Sequence, residues 1–225
     1  MKKRPKHLFK KFLLLASAIN VNQIYSDSFE YNQYNNYGVV GTIHTPSART
    51  FDEGVHGTTL YIGTPNQTVT LSASPFDWLE ASFFYTNIQD RPYCDDLTSE
   101  FCLQDFKDKG FNIKAKIKKQ GVFPAVAIGL NDFAGTGLYS SEYIVGSYGI
   151  NRTDFHFGIG FGFLDGSDLR FKNPFGYISD KFYDRPVGFE AEGGSFQPSK
   201  YFSGETASPF FGVSPATTTA QAFSS

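Results

Sequence analysis

The stretch that decides the fold covers residues 153–163 and reads TDFHFGIGFGF. Its apolar side chains fall at every second position, and the positions between them hold Asp154, His156 and three glycines. Such alternation predicts a β-strand with one apolar and one polar face, because successive side chains of a strand point to opposite sides. The length agrees with the roughly 9–11 residues that a tilted strand needs to cross a lipid bilayer.

The same alternation recurs along most of the chain. It is clear in residues 110–118 and 122–130, and it is less regular in residues 78–86. Weaker candidate strands cover residues 38–45, 55–63, 67–73 and 141–148, and a ninth candidate lies near 209–213. We therefore predict an all-β protein with about eight or nine antiparallel strands.

The predicted links between these strands alternate in length. Tight turns at 75–77, 119–121 and 150–152 alternate with longer links at 88–109, 131–140 and 164–201. Outer-membrane β-barrels show this alternation, with short periplasmic turns and longer outer loops. We predict an outer-membrane β-barrel over residues 38–212, and the strand number suggests a partial barrel. A secreted β-sandwich remains open as the alternative, since it would also show alternating strands.

The composition fits strands with one apolar and one polar face. The chain of 225 residues holds 25 Phe, 13 Tyr and 22 Gly, yet its mean hydropathy is only -0.27, so apolar residues are interleaved with polar ones. A net charge of -2 gives no sign of a nucleic-acid partner.

Both ends of the chain differ from this pattern. Residues 1–26 combine a basic stretch, an apolar segment and small residues, which is typical of a cleaved export signal. Cleavage is compatible with Ala18 or Ser26, and a short membrane anchor is the alternative. Residues 27–37 are predicted to form an exposed N-terminal lead, and residues 213–225 a low-complexity tail. This organisation predicts export to the outer membrane of a Gram-negative bacterium.

The two cysteines, Cys94 and Cys102, lie in the first long link. In an oxidising compartment such a pair predicts a disulfide that closes the link. Metal binding is the alternative, but two thiolates without a nearby histidine make a poor site.

Several motifs resemble one known family. The run PAVAIGLNDFAGTGLYSSEYIVGSYG at 124–149, the strand at 153–166 and the element GTIHTPSAR at 41–49 resemble the YjbH-like outer-membrane proteins of exopolysaccharide operons. The resemblance covers residues 38–170. It implies a barrel that takes part in exopolysaccharide production or export, with lipid, the polysaccharide and other proteins of the operon as partners and with no cofactor. Family members are several times longer, so this chain resembles their amino-terminal part.

Two polar elements are candidate contacts for a polymer. In the link DFAGTGLYSSE, Asp132 and Glu142 could bind sugar hydroxyls or a cation, and Gly135 and Gly137 allow a compact loop through positive φ. The alternative is a structural loop in which Asp132 caps its own turn.

A basic stripe is the second candidate element. Lys114, Lys116 and Lys118 share the polar face of one strand and could attract an anionic polymer, unless that face is simply solvated. Arg49 is predicted to pair with a carboxylate inside the barrel.

No pattern identifies an enzyme, a metal centre or a phosphate-binding loop. A hydrolase that uses His156, Asp154 and a serine is one alternative function. A structural or adhesive surface protein without a transport role is the other.

Overall fold

The computed structural model of the protein describes residues 33–93, 104–166, 168–186 and 198–215. The predicted signal at 1–26 and the predicted disulfide between Cys94 and Cys102 lie outside these residues. Within them, none of the helices has the length and apolar character that crossing a membrane requires.

The described residues form eleven strands and three short 3-10 helices. The strands are β1 Gly41–Thr42, β2 Thr45–Pro46, β3 His56–Ile62, β4 Asn66–Phe76, β5 Leu79–Pro92, β6 Asp105–Lys118, β7 Ala125–Asn131, β8 Ser141–Ile150, β9 Thr153–Gly162, β10 Phe171–Lys172 and β11 Thr206–Pro215. The helices are Pro174–Tyr177, Asp180–Tyr183 and Pro198–Lys200. The prediction of an all-β protein is confirmed.

Nine of these strands form one antiparallel sheet in the order β10-β11-β9-β8-β7-β6-β5-β4-β3. Strands β3 to β9 follow one another as a meander. β11 returns to β9 and pairs with it from Ser208 opposite Gly160 to Pro215 opposite Thr153. In the part of the chain that the structure describes, β3 and β10 are the edges of the sheet and do not pair with each other.

The polarity of the sheet is inverted relative to that of a water-soluble protein. Along β4, Val69 and Leu71 are exposed, whereas Thr70, Ser72 and Ser74 are buried. The same holds across the sheet for large apolar side chains that are exposed: Leu60, Ile62, Tyr85, Phe111, Ile117, Phe157, Phe211 and Val213. Polar groups fill the opposite side, which we call the inner face. The apolar core there is small and centres on Ala125, Ala127, Tyr143 and Val145.

The predicted strand at 38–45 is wrong as a member of this sheet. β1 and β2 pair only with each other, and the chain bends at Gly38 and Ile43, which have φ of 72° and 49°. A Cβ at Gly38 would lie 2.5 Å from Ser72 Oγ, so glycine lets the backbone approach the sheet closely. Residues 33–52, called the inner segment below, therefore lie against the inner face.

Two predicted boundaries of the strand region are also wrong. The lead was expected to be exposed up to residue 37, but Asn35 is buried. Its side-chain oxygen accepts hydrogen bonds from the backbone N–H groups of Tyr37 and Val39. The tail was expected from residue 213, but β11 continues to Pro215. Ser214 keeps this end of the strand in place, since its hydroxyl bonds to His156 on β9.

The long link between β9 and β11 covers one end of the outer side of the sheet. Phe161 on β9 packs against Phe175 and Phe202, with ring centroids 5.6 and 5.4 Å apart. Beside them, Arg185 forms a salt bridge of 2.7 Å with Glu142 on β8. Apolar packing and one ion pair thus hold this link on the sheet.

Candidate functional site

The inner face is divided between two ends of the sheet. The turns between β4 and β5, β6 and β7, and β8 and β9 lie at one end, called the turn end. The links after β5, β7 and β9 lie at the other, called the link end. The two ends differ in chemistry.

A buried ion pair occupies the turn end. Lys114 Nζ on β6 lies 2.6 Å from Glu80 Oε2 on β5, and both side chains are almost fully buried. Lys114 also donates to the carbonyl oxygen of Val40, at 2.9 Å, while Glu80 accepts from the backbone N–H groups of Val40 and Phe51, each at 3.1 Å. The pair therefore fastens the inner segment to the sheet.

This arrangement bears directly on the predicted basic stripe. The charge of Lys114 is neutralised by Glu80 and is not open to a polymer. Lys116 donates to the hydroxyl of Thr50 in the inner segment, whereas Lys118 is exposed and lies 4.7 Å from the centre of the Phe123 ring. Lys114 and Lys116 point to the inner face, but a register shift between Lys116 and Lys118 places Lys118 opposite Val126, on the other face. The three lysines therefore do not form the predicted basic stripe.

Arg49 does pair with a carboxylate on the inner face, as predicted. Its Nε and Nη2 donate to the two oxygens of Asp154 on β9, at 2.7 and 2.8 Å. Arg49 also donates to the side chain of Gln120, which in turn donates to the Gly149 carbonyl at 3.2 Å. Bidentate geometry makes this a strong, directional contact between the inner segment and two turns of the sheet.

His156 lies next to this pair but is enclosed. Its Nδ1 is 2.8 Å from Ser147 Oγ, and its Nε2 is 3.0 Å from Ser214 Oγ. Ser147 also accepts a hydrogen bond from the backbone of Ala48, at 2.8 Å. His156 and both serines are fully buried or nearly so, and Asp154 is occupied by Arg49. These contacts connect strands β8, β9 and β11.

The predicted loop motif lies at the link end and is a compact turn. Asp132 has a φ of 51°; its Oδ2 accepts from the Tyr139 N–H at 3.2 Å, and its own N–H donates to Asn112 at 2.9 Å. Gly137 takes a positive φ of 80°, but Gly135 serves another purpose. A Cβ on Gly135 would lie 1.9 Å from Asp132 Oδ1, so the glycine makes room for the carboxylate.

Glu142 does not join Asp132 in a common site. Arg185 and the backbone N–H of Phe202, at 2.9 Å, hold its carboxylate beneath the long link. Asp132 and Glu142 therefore lie in separate environments, and contact of either one with a sugar or a cation stays a prediction. Among the described residues, no group of three or more His, Cys, Asp or Glu side chains is placed to hold a metal ion.

The electrostatics of Asp132 are unusual for a carboxyl group. Burial, and then the nearby Asp108 carboxylate, raise the pKa of Asp132 from 3.8 to about 7. Asp132 Oδ1 and Asp108 Oδ2 are buried and have no hydrogen-bond partner among the described residues. Asp132 is thus only partly ionised at neutral pH.

A cavity of about 590 Å³ opens beside this loop at the link end. It is lined by Asn36, Tyr37, His44, Tyr61, Asn66, Thr68, Phe84, Thr86, Asn112, Asn131, Asp132, Tyr139, Phe163, Leu164, Gly166, Pro209 and Phe210. Residues of β3 and β11 line the same space, so the sheet curves around it. Of these residues, only Asp132 was predicted as a contact. Tyr139 belongs to the same loop motif, and the remaining residues come from distant segments with no shared motif.

The comparisons with known proteins agree with the resemblance. The family model described as exopolysaccharide biosynthesis protein YbjH matches residues 33–222. A protein of Escherichia coli strain K12, named uncharacterized lipoprotein YjbH, is 33% identical over 214 residues. These residues make up 95% of this chain but only 30% of that relative. No solved structure matches the chain. The match to the family model spans most of the sequence, and the chain belongs to the YjbH exopolysaccharide biosynthesis family.

Proposed function

We propose that this chain is part of an outer-membrane β-barrel that takes part in producing or exporting an exopolysaccharide. The inverted polarity of the sheet carries the proposal. Exposed apolar side chains such as Leu71, Phe111 and Phe157 would meet lipid, and the polar inner face would line the interior. A soluble β-sandwich would bury these side chains between two sheets.

The open edges of the sheet bear on how the barrel is completed. Unpaired backbone groups in lipid cost several kcal/mol each, so membrane sheets close on themselves. β3 and the part of β11 beyond β10 each have one unpaired side in the described residues. The relative is about three times as long as the matched region. In our proposal, further strands pair with these two edges.

The proposed partners follow from the two faces of the sheet and from the family. They are the lipid around the outer face, a polysaccharide at the inner face and other proteins of the same operon. The chain itself catalyses no reaction in this proposal, and it reaches the outer membrane through a cleaved signal. The word lipoprotein in the name of the relative is compatible with a location in the cell envelope.

Substitution on the outer face tests the membrane part of the proposal. Leu71→Arg places a charge where lipid is expected and should cost about 2–4 kcal/mol near the bilayer midplane. The amount of folded protein in the outer-membrane fraction should fall. Leu169→Arg is the matched control, because Leu169 is also exposed but lies in the long link. The membrane assignment would be overturned if both variants were recovered in equal amounts and could be extracted from the cells without detergent.

Gene deletion tests the polysaccharide part. Cells that make the polymer should release less of it after deletion, and the intact gene should restore the amount. An unchanged amount together with altered surface adhesion would instead favour a structural or adhesive role.

A further inference from the structure

We propose that the cavity at the link end binds a short, uncharged segment of a polysaccharide. This inference rests on the proposed function and adds a site and a ligand class to it. It comes from the cavity's wall, its hydrogen-bonding groups and its charge.

The wall of the cavity combines aromatic and small polar side chains. Tyr61 on β3, Tyr139 in the loop and Phe163 after β9 contribute rings, and Asn66 and Thr68 contribute amide and hydroxyl groups. Pyranose rings present apolar C–H faces and a rim of hydroxyl groups, so they need both kinds of surface. The volume lies in the range of ordinary small-ligand sites, about 300–1,000 Å³.

Some of the polar groups are already oriented by the protein. The Tyr139 hydroxyl donates to Asn66 Oδ1 at 3.0 Å, and Asn112 donates to the Tyr37 carbonyl at 2.7 Å. Asn131 donates to Ser141 at 3.1 Å, but its own side-chain oxygen has no partner within the described ranges. Asn131 is only 2% exposed, and a buried acceptor without a partner is costly. A ligand hydroxyl would satisfy this oxygen.

The charge of the cavity selects a neutral ligand. Among the described residues, no lysine or arginine lines it, and Asp132 is the only carboxylate in its wall. The nearest part of the predicted basic stripe, Lys114, is held by Glu80 at the turn end. Lys200 and Arg91 act electrostatically on the wall residues Asp132 and Tyr139 from outside the wall. An anionic polymer would therefore meet no cation in the wall itself, whereas a neutral polymer needs none.

The cavity can be reached from outside the sheet. His44 and Phe163 form part of its rim and are exposed, with Phe163 55% accessible. Because the links after β5, β7 and β9 lie at this end, the opening is on the side that would hold the outer loops.

Binding can be tested on the full-length protein in detergent by isothermal titration calorimetry. The probes are oligosaccharides from partial acid hydrolysis of the cells' own exopolysaccharide, together with neutral cello-oligosaccharides and acidic oligogalacturonates. We expect saturable binding of neutral fragments and none of oligogalacturonates. Tyr61→Ala, which removes one ring, should weaken binding about tenfold or more, equivalent to 1.4 kcal/mol. Tyr177→Ala is the matched control, because Tyr177 is 79% exposed outside the cavity.

A second variant separates loss of the cavity from misfolding of the protein. Thr68→Tyr fills the cavity instead of emptying it, and both cavity variants should keep the β-sheet circular dichroism and melting temperature of the parent. The proposal is overturned if no neutral fragment binds, if acidic fragments bind equally well, or if folded Thr68→Tyr binds as the parent does. Reduced polymer after gene deletion, with normal export by both cavity variants, would leave the proposed function standing and remove this site.

Discussion

The turn end and the link end of the inner face solve the same packing problem in different ways. At the turn end, two ion pairs and a histidine between two serines fill the space beneath the sheet. At the link end, a cavity remains, lined by rings and amides. The charged groups at the turn end all contact the inner segment or join neighbouring strands, so they hold the structure together. The link end retains room for a ligand.

The largest effect is expected from breaking the buried pair at the turn end. Lys114→Met leaves the Glu80 carboxylate buried without its cation, which should lower the free energy of unfolding by about 3–5 kcal/mol. Urea unfolding in detergent measures the change. The double variant Lys114→Met/Glu80→Gln should recover part of the loss, because no uncompensated charge remains. If the single and double variants are equally unstable, the pair is not what fastens the inner segment.

The second effect concerns pH at the link end. Because the pKa of Asp132 rises from 3.8 to about 7 in the folded protein, the folded state holds this proton more tightly than the unfolded state. The tighter binding of this proton adds to the free energy of unfolding. The added stability is fully present below pH 3.8, decreases as the pH rises towards 7, and is absent above pH 7. Asp132→Asn should remove that decline, which is worth about 4 kcal/mol for this shift.

Melting temperatures measured from pH 4 to pH 8 would check this expectation. Asp77→Asn is the control, because the pKa of this exposed carboxyl is lowered by its hydrogen bond with Lys119. A difference between Asp132→Asn and the parent that stays constant across this range would contradict the buried, raised-pKa carboxyl.

A third change tests how tightly the loop is packed around Asp132. Gly135→Ala places a methyl group 1.9 Å from Asp132 Oδ1 and 2.4 Å from the Lys109 carbonyl oxygen. Overpacking of this kind costs about 1–3 kcal/mol. Gly166→Ala is the matched control, because its methyl group would lie 3.9 Å from the Phe163 carbonyl oxygen, an ordinary van der Waals contact. Equal melting temperatures for the two variants would show that the loop is looser than described.

The smallest effect is expected at a salt bridge on the surface of the turn end. Lys119 and Asp77 lie 2.8 Å apart, but their side chains are 71% and 49% exposed. Solvent and salt screen such a pair. Lys119→Met should leave the melting temperature within error of the parent, and a loss approaching that of Lys114→Met would break the distinction between buried and exposed pairs.

The sequence predicted those parts of the molecule that depend on local alternation. Residues 153–162 and 110–118 form strands because their side chains alternate strictly, and the ninth strand near residue 209 is present as β11. Residues 38–45 were wrongly predicted as a strand of the sheet. Their apolar and small residues resemble those of a strand, but here they allow two backbone segments to approach each other closely. Only the tertiary contacts of Gly38 show why it leaves the sheet.

The candidate site was less predictable for a physical reason. Arg49 was assigned a carboxylate partner, but the sequence does not show that the partner is Asp154, 105 positions away. Lys114 looked available because its partner, Glu80, lies on another strand. The cavity takes residues from six strands and several links, so its shape exists only after the sheet has curved.

Trp78, in the turn between β4 and β5, can report how deeply this end of the sheet lies in a membrane. It is the chain's single tryptophan, it is 46% exposed, and its ring stacks on Phe76 with centroids 5.6 Å apart. Tryptophan favours the boundary between headgroups and acyl chains. Its fluorescence is therefore an intrinsic depth gauge: lipids brominated near the headgroup should quench it more than lipids brominated near the chain ends.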